Sequence, residues 1–280
     1  MKWITILFAV LMSMTLVSGS YYSFSDELSW WEFDSPESNS TFALDSKEIN
    51  NGTVTGAVNN SVGYYNESYE FSTDYIDLAE FHFEDDEPWS VSFWEKHLVS
   101  GNNQVIGRNG YADDINIYGN AFRFRQHDAT SVTFTISPIN QINVWEHWVI
   151  VADSGNMTVY RDAIKKDSRL VNSTFYINTI GRGSGKYFNG SIDEIKIYNK
   201  SSTLSEVKEL YSCRTPNNGT GTWTMLANCT VSNETDTFNQ TFIATAGTYI
   251  ADNTTLIIPK AIAEGGKLVA TNGGKIIAGT

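Results

Sequence analysis

Phe188-Asn-Gly-Ser-Ile-Asp-Glu-Ile-Lys-Ile-Tyr198 runs directly into Asn199-Lys-Ser-Ser-Thr-Leu-Ser-Glu-Val-Lys-Glu-Leu-Tyr211. Side chains alternate with period two along a strand. The alternation predicts Ile192, Glu194, Lys196 and Tyr198 on one side, with Asp193, Ile195 and Ile197 on the other. The strand is entered by a tight Asn189-Gly190 turn. Beyond it, Ser205 precedes Glu206, Val207 and Leu210, which suits a short capped helix. A closing strand and one helical piece therefore end a domain here.

Three earlier stretches fit the same frame: Leu28-Ser-Trp-Trp-Glu-Phe-Asp34, Trp89-Ser-Val-Ser-Phe-Trp-Glu-Lys96, and Trp145-Glu-His-Trp-Val-Ile-Val-Ala-Asp-Ser-Gly-Asn-Met-Thr-Val-Tyr-Arg-Asp162. In that order the four pieces resemble the opening strand, central strand, hairpin and closing strand of a laminin G-like domain of the concanavalin A-like superfamily. The resemblance covers roughly Ser25 to Tyr211 and implies an all-β, antiparallel jelly-roll sandwich. One position departs from it. The family's hairpin turns on Asp-Gly, whereas this chain has Asp162-Ala163, and Ala takes a positive φ less readily than Gly.

The residues read independently agree with that fold. Turn signals recur about every ten residues between Ser25 and Tyr211, the spacing of a β-sandwich. Ala121-Phe-Arg-Phe-Arg-Gln126, Ser131-Val-Thr-Phe-Thr-Ile136 and Met157-Thr-Val-Tyr160 alternate polar with apolar, so each has a buried and a wet face. The 280 residues suffice for one sandwich and something smaller, as domains usually hold ~100 to 200. Only 18% of residues are charged and 41% are hydrophobic, which excludes a disordered acidic chain. Net charge is −13 and the basic residues form no cluster longer than a pair. A nucleic-acid partner, which needs released counterions, is thereby excluded.

Met1-Lys2, the apolar run Trp3 to Val17 and the small residues up to Ser20 read as a signal peptide over 1–20. The run is shorter than the ~20 apolar residues of a spanning helix, so no integral membrane span is expected after cleavage; an uncleaved anchor is the alternative. Thirteen Asn-x-Ser/Thr sequons suit an exported glycoprotein: Asn39, Asn51, Asn59, Asn66, Asn156, Asn172, Asn189, Asn199, Asn218, Asn228, Asn233, Asn239 and Asn253. An Asn- and Thr-rich β composition generates such triplets too.

The expected division is a jelly roll over 21–212, a linker over 213–222 and a β-rich segment over 223–280. In that segment Ile243-Ala244, Gly247, Ile250-Ala251 and Ile257-Ile258 recur nineteen residues later. This period suggests solenoid rungs, two of them visible, in a fragment of a longer array or a small β-appendage. A low-complexity echo is the bland alternative. Cys213 and Cys229, the only cysteines, flank the junction and predict a disulfide in an exported chain.

Glu32-Phe-Asp-Ser-Pro-Glu37 formally resembles the catalytic Glu-x-Asp-x-x-Glu run of laminarinase-like enzymes. Pro36 cannot donate to a central ladder, and Ser35 stands where those enzymes carry an apolar residue. No other catalytic device is legible, so the expectation is a protein that is not an enzyme. The resemblance also implies calcium, and on it Asp34, Asp45 and Asp193 are the expected ligands; turn hydrogen bonds are the alternative role. On the central strand Trp89, Val91 and Phe93 share one face and Trp94 the other, which makes Trp94 the expected ligand platform. The sequence thus predicts a secreted or cell-surface, non-catalytic recognition or adhesion protein for an extracellular glycan or protein. A glycoside hydrolase and a structural module of a larger surface protein are the alternatives.

Overall fold

The computed structural model describes residues 26–34, 38–60, 62–118, 121–126, 131–136, 141–171 and 174–213, and the backbone of nine strands between 222 and 278. The proposed signal peptide, the linker over 214–221 and the triad Ser35-Pro36-Glu37 lie outside the described residues.

Sixteen described strands build the sandwich: β1 (Glu27–Trp31), β2 (Phe42–Ala43), β3 (Gly52–Thr55), β4 (Val58–Asn60), β5 (Ser68–Phe71), β6 (Tyr75–Phe83), β7 (Trp89–His97), β8 (Asn102–Gly107), β9 (Asp114–Tyr118), β10 (Ala121–Arg125), β11 (Ser131–Thr135), β12 (Glu146–Asp153), β13 (Asn156–Arg161), β14 (Ile164–Leu170), β15 (Phe175–Ile180) and β16 (Gly190–Tyr198). They form two antiparallel sheets. The front sheet runs β14-β13-β12-β7-β16-β5-β4 with β1 also on β16; the back sheet runs β11-β10-β9-β8-β15-β6-β3-β2. The inner faces meet over an aromatic core in which Trp89 stacks on Phe83 at 5.3 Å and on Phe175 at 5.5 Å. This is the expected all-β jelly-roll sandwich, and the alternating aromatics form it because each sheet turns one face of its strands into the shared core.

The closing strand departs from simple alternation. Glu194 sits in the left-handed region at φ 53°, and the register against β7 shifts between Asp193 and Lys196. That bulge places Ile192, Ile195 and Ile197 together in the core, leaving Asp193, Lys196 and Tyr198 on the outer face. It falls where the neighbour of β16 changes from β5 to β1. Gly190, at φ 146°, has no room for a Cβ, which would stand 2.1 Å from the Lys96 carbonyl oxygen. The turn into β16 therefore requires glycine.

Helix α1 (Leu204–Ser212) begins two residues earlier than Ser205 predicted. Thr203 is its N-cap, in a capping box with Glu206. Asp162 and Ala163, at φ 51° and 59°, make the two-residue hairpin turn without glycine. The turn is tied to β12 instead: Asp162 donates its N–H to the His147 carbonyl at 2.9 Å, and its carboxylate accepts the His147 N–H at 3.0 Å.

Beyond α1, the chain visits three parallel sheets in turn, three times. The circuits are β17 (Thr222–Met225), β18 (Cys229–Ser232), β19 (Thr235–Thr237); β20 (Thr241–Ala244), β21 (Thr248–Asp252), β22 (Thr255–Ile258); and β23 (Lys260–Ala263), β24 (Lys267–Thr271), β25 (Lys275–Ala278). The first circuit shows no repeat in the sequence. Nineteen residues separate partners in the pairs Ile243–Ile262 and Ile250–Val269, but Ile257 pairs with Ile277 rather than Ile276, so the third sheet is displaced by twenty. Among the described residues no helix is long and apolar enough to cross a membrane.

Candidate ligand-binding face

The expected platform, Trp94, lies on the outer side of the front sheet but is covered. It is 2% exposed, with Tyr64 stacked on it at 3.3 Å between centroids and Tyr211 of α1 at 5.6 Å. His147 packs beside it at 4.8 Å. Complete burial, helped by the Lys196 charge, lowers the His147 pKa to about 3, so its ring is neutral, with Nε2 2.9 Å from Ser92 Oγ. Trp94 is thus packed beneath a loop and a helix, and no bare ring is offered there.

The three aspartates expected to share calcium each hold a different piece of backbone. Asp34 accepts the N–H of Glu67 and the side-chain amide of Asn66, both at 3.0 Å. Asp45 is buried and accepts three backbone N–H groups, from Trp30, Lys47 and Asn50. Asp193 accepts the Tyr65 N–H at 2.9 Å. Among the described residues no three His, Cys, Asp or Glu side chains are grouped to hold a metal ion. Asp45 thus makes the turn hydrogen bonds expected of it, whereas Asp34 and Asp193 hold the backbone of residues 65–67 across a long sequence separation. Glu32 of the hydrolase-like run accepts the Ser46 hydroxyl at 2.8 Å.

The outer side of the back sheet is different. Alternation buries Phe122, Phe124, Ile115, Ile117 and Phe175 and turns Arg123, Arg125, Asp114, Asn116, Tyr118 and Tyr176 outward. Four of the seven arginines of this acidic chain gather here: Arg108, Arg123, Arg125 and Arg182. Arg108 lies between two rings, 4.1 Å from Tyr111 and 4.2 Å from Tyr176. His82 stacks on Tyr176 at 4.3 Å, with the two rings nearly parallel. A four-layer stack results, Tyr111–Arg108–Tyr176–His82, and Tyr111 is 51% exposed. Glu80 fixes the guanidinium through two contacts, 2.7 and 3.2 Å.

The loop after β15 lies flat across the middle of this face. Gly183 packs so close to Asp114 and Gln104 that a Cβ would stand 2.7 Å from one and 2.9 Å from the other. Lys186 donates its N–H to Gln104 Oε1 at 3.1 Å. Arg125 pairs with Asp114, whose carboxyl pKa burial raises while Arg125 and Arg123 partly offset it. The Arg182 guanidinium rests on Tyr75 at 4.9 Å and Tyr187 at 5.3 Å. Planar aromatic and guanidinium surfaces, held by carboxylates and open to water, suit the stacking of sugar rings with hydrogen bonds at their edges. Sequence reasoning missed this face; its one signal was the wet side of Phe122-Arg-Phe-Arg125.

A second polar group is closed between the sheets. Glu95 and Glu146 face each other across β7 and β12. Glu95 accepts the Trp148 indole N–H at 3.2 Å and lies 3.1 Å from His97 Nδ1; Glu146 pairs with Arg161 at 3.2 Å. Burial first, then the Glu95 charge, raises the Glu146 pKa to about 7. For His97 burial opposes protonation, but the hydrogen bond to Glu95 and the Glu95 and Glu146 charges together outweigh it and the pKa is raised.

A profile described as the concanavalin A-like lectin/glucanases superfamily matches residues 71–208. Over that stretch, just under half of the chain, the sequence is similar to that superfamily. The match takes in β6 to β16, and with them the stack and the buried carboxylates. Among solved structures, the binding domain of Paraclostridial Mosquitocidal Protein 1 is similar with a TM-score of 0.51 at 15% identity, over 67% of this chain and 52% of that one. The binding domain of botulinum neurotoxin serotype D gives 0.50 at 15% identity, over 66% and 51%. The chain spans about half the length of both. Domain 4 of AbnA, a GH43 extracellular arabinanase from Geobacillus stearothermophilus solved with arabinotriose, gives 0.48 at 19% identity, over 66% and 98%, and adds nothing to the fold assignment. At these identities the likeness concerns fold alone. No curated protein matches the chain.

Proposed function

We propose that the chain is a secreted or cell-surface, non-catalytic recognition module that binds carbohydrate through the outer face of the back sheet. The observation that carries this reading is the Tyr111–Arg108–Tyr176–His82 stack, which places rings and a fixed guanidinium where they fill no core. The cross-strand carboxylates Glu95 and Glu146 are shut between the sheets, which supports binding rather than glycoside hydrolysis, since hydrolysis needs two carboxyls flanking a bound sugar. We read the nine C-terminal strands as a short β-solenoid, rooted by a Cys213–Cys229 disulfide and carrying the recognition domain.

The test is a glycan array probed with wild-type protein, in calcium and in chelator, alongside Tyr111→Ala and Arg108→Lys. Tyr111 is exposed, so its removal leaves folding intact. Each variant is expected to weaken the wild-type hit about tenfold, 1.4 kcal/mol, with no calcium requirement. A wild-type chain that binds no glycan, or binding indifferent to both substitutions, sinks the proposal.

A further inference from the structure

Thirteen sequons are more than a fold of this size has room to treat alike, and the geometry separates them. Seven lie among the described residues. Asn59 donates both amide hydrogens inside the fold, to the carbonyls of Phe33 and Ser38, so its nitrogen has no bond to spare for a sugar. Asn66 donates its amide to Asp34. Asn189 is half-buried in the turn before β16. Asn39, Asn51, Asn156 and Asn199 are exposed, and where their side chains bond, they do so through the amide oxygen.

Of these four, Asn156 borders a groove. On the outer side of the front sheet, Val151, Asp153, Asn156, Thr158 and Tyr160 form one wall, and Ser201, Ser202 and Thr203 before α1 form the other. The groove holds about 330 Å³, the lower end of ligand-site volumes (~300 to 1,000 Å³), which suits one or two sugar rings. Ser202 supplies an independent sign of a ligand. The residue lines the groove and is 6% exposed, and its hydroxyl has no hydrogen-bond partner among the described residues. A native fold rarely leaves such a group unmet.

We propose that Asn156 carries an N-linked oligosaccharide whose first sugar lies in this groove, against the Tyr160 ring and within reach of the Ser202 hydroxyl. The attachment forms a bond from the Asn156 amide nitrogen to the sugar's anomeric carbon, the lipid-linked pyrophosphate donor leaves, and one amide proton is released. Thr158 supplies the hydroxyl the sequon requires. The groove is on the front sheet and the stack on the back, so this glycan leaves the proposed binding face open.

Full-length protein secreted from a glycosylating eukaryotic host, treated with peptide-N-glycosidase in heavy-oxygen water and mapped by mass spectrometry, tests occupancy. Asn156 is expected to be modified and Asn59 bare. Release from Asn156 is expected to be about tenfold slower in native than in denatured protein, the worth of one buried polar contact. Ser202→Ala, a small change that keeps the backbone hydrogen bond to Ser90, is expected to speed native release several-fold without altering occupancy. A bare Asn156 or a modified Asn59 in folded, secreted protein overturns the assignment. Equal native and denatured release, or a rate unmoved by Ser202→Ala, overturns the seating of the sugar.

Discussion

Glu146 shows how much of a residue's chemistry is set by a partner that the sequence does not reveal. Its own stretch announces a strand, but its pKa is raised first by burial between the sheets and then by Glu95, fifty-one positions away, which meets it only through the pairing of β7 with β12. The raised value, about 7 against an ordinary 4.5, means that the folded chain holds this proton more tightly than the unfolded one. The resulting stabilisation is full below about pH 4.5 and is lost as pH rises through about 7, on the order of 3 kcal/mol in all. His147 acts in the opposite sense: its pKa of about 3 makes acidification from 6.5 downward destabilising. The reading is therefore the difference between wild type and Glu146→Gln, which keeps an acceptor for Arg161 and cannot ionise. In denaturant melts that difference is expected to move in favour of the variant from pH 4.5 to 7.5; a difference constant across that range would show that Glu146 does not titrate there. Trp94 teaches the same lesson. Its face was legible from alternation, but its cover, Tyr64 and Tyr211, was not.

Among the elements, β13 follows its alternating pattern because one face is buried and the other is wetter, whereas β7 and β12 are buried on both faces, the outer one of β12 under α1. β16 breaks it. Nothing at Glu194 announces a left-handed residue, and the bulge is imposed by the change of neighbour from β5 to β1, a fact of topology. α1 was legible as a helix but not in its start. Ser and Thr are nearly equal as caps, and what decides between Ser205 and Thr203 is Glu206 three residues after Thr203, closing the capping box. Thr203→Ala is expected to cost about 1 kcal/mol, lowering the melting temperature by roughly 2 to 4 °C in a domain of this size. Ser205→Ala is expected to stay within about 0.5 kcal/mol. Equal losses in a thermal melt would mean that the box is not what fixes the helix start.

At the scale of the whole molecule, the sandwich was legible because four motifs fall in one order, whereas the proposed binding face was not, because the Arg108–Tyr111 turn meets Tyr176 of β15 and His82 of β6 only in the folded sheet. The three-circuit C-terminal segment was half legible: two repeats show in the β-branched residues, and the first circuit, richer in Thr, hides its pairing. Cys213 is buried directly after α1, and Cys229 opens β18 with its side chain outside the described residues. Their pairing is expected to stabilise the junction by ~3 kcal/mol in the chain-entropy model. Non-reducing peptide mapping should recover the two as one linked peptide, and two free thiols in exported protein would remove the proposed root. The pairing of β1 with β16 has a mechanical side. Glu27 lies opposite Tyr198, so the strand that opens the domain and the strand that closes it present their outer ends side by side. Tension drawn through both would unzip them one hydrogen-bonded pair at a time, beginning at the bond from the Asn199 N–H to the Asp26 carbonyl and passing to the contact of the Tyr198 hydroxyl with Glu27, rather than shear every pair at once. As a tether under load the sandwich would therefore yield early, at its own seam, and let go of whatever it holds before the chain on either side is strained.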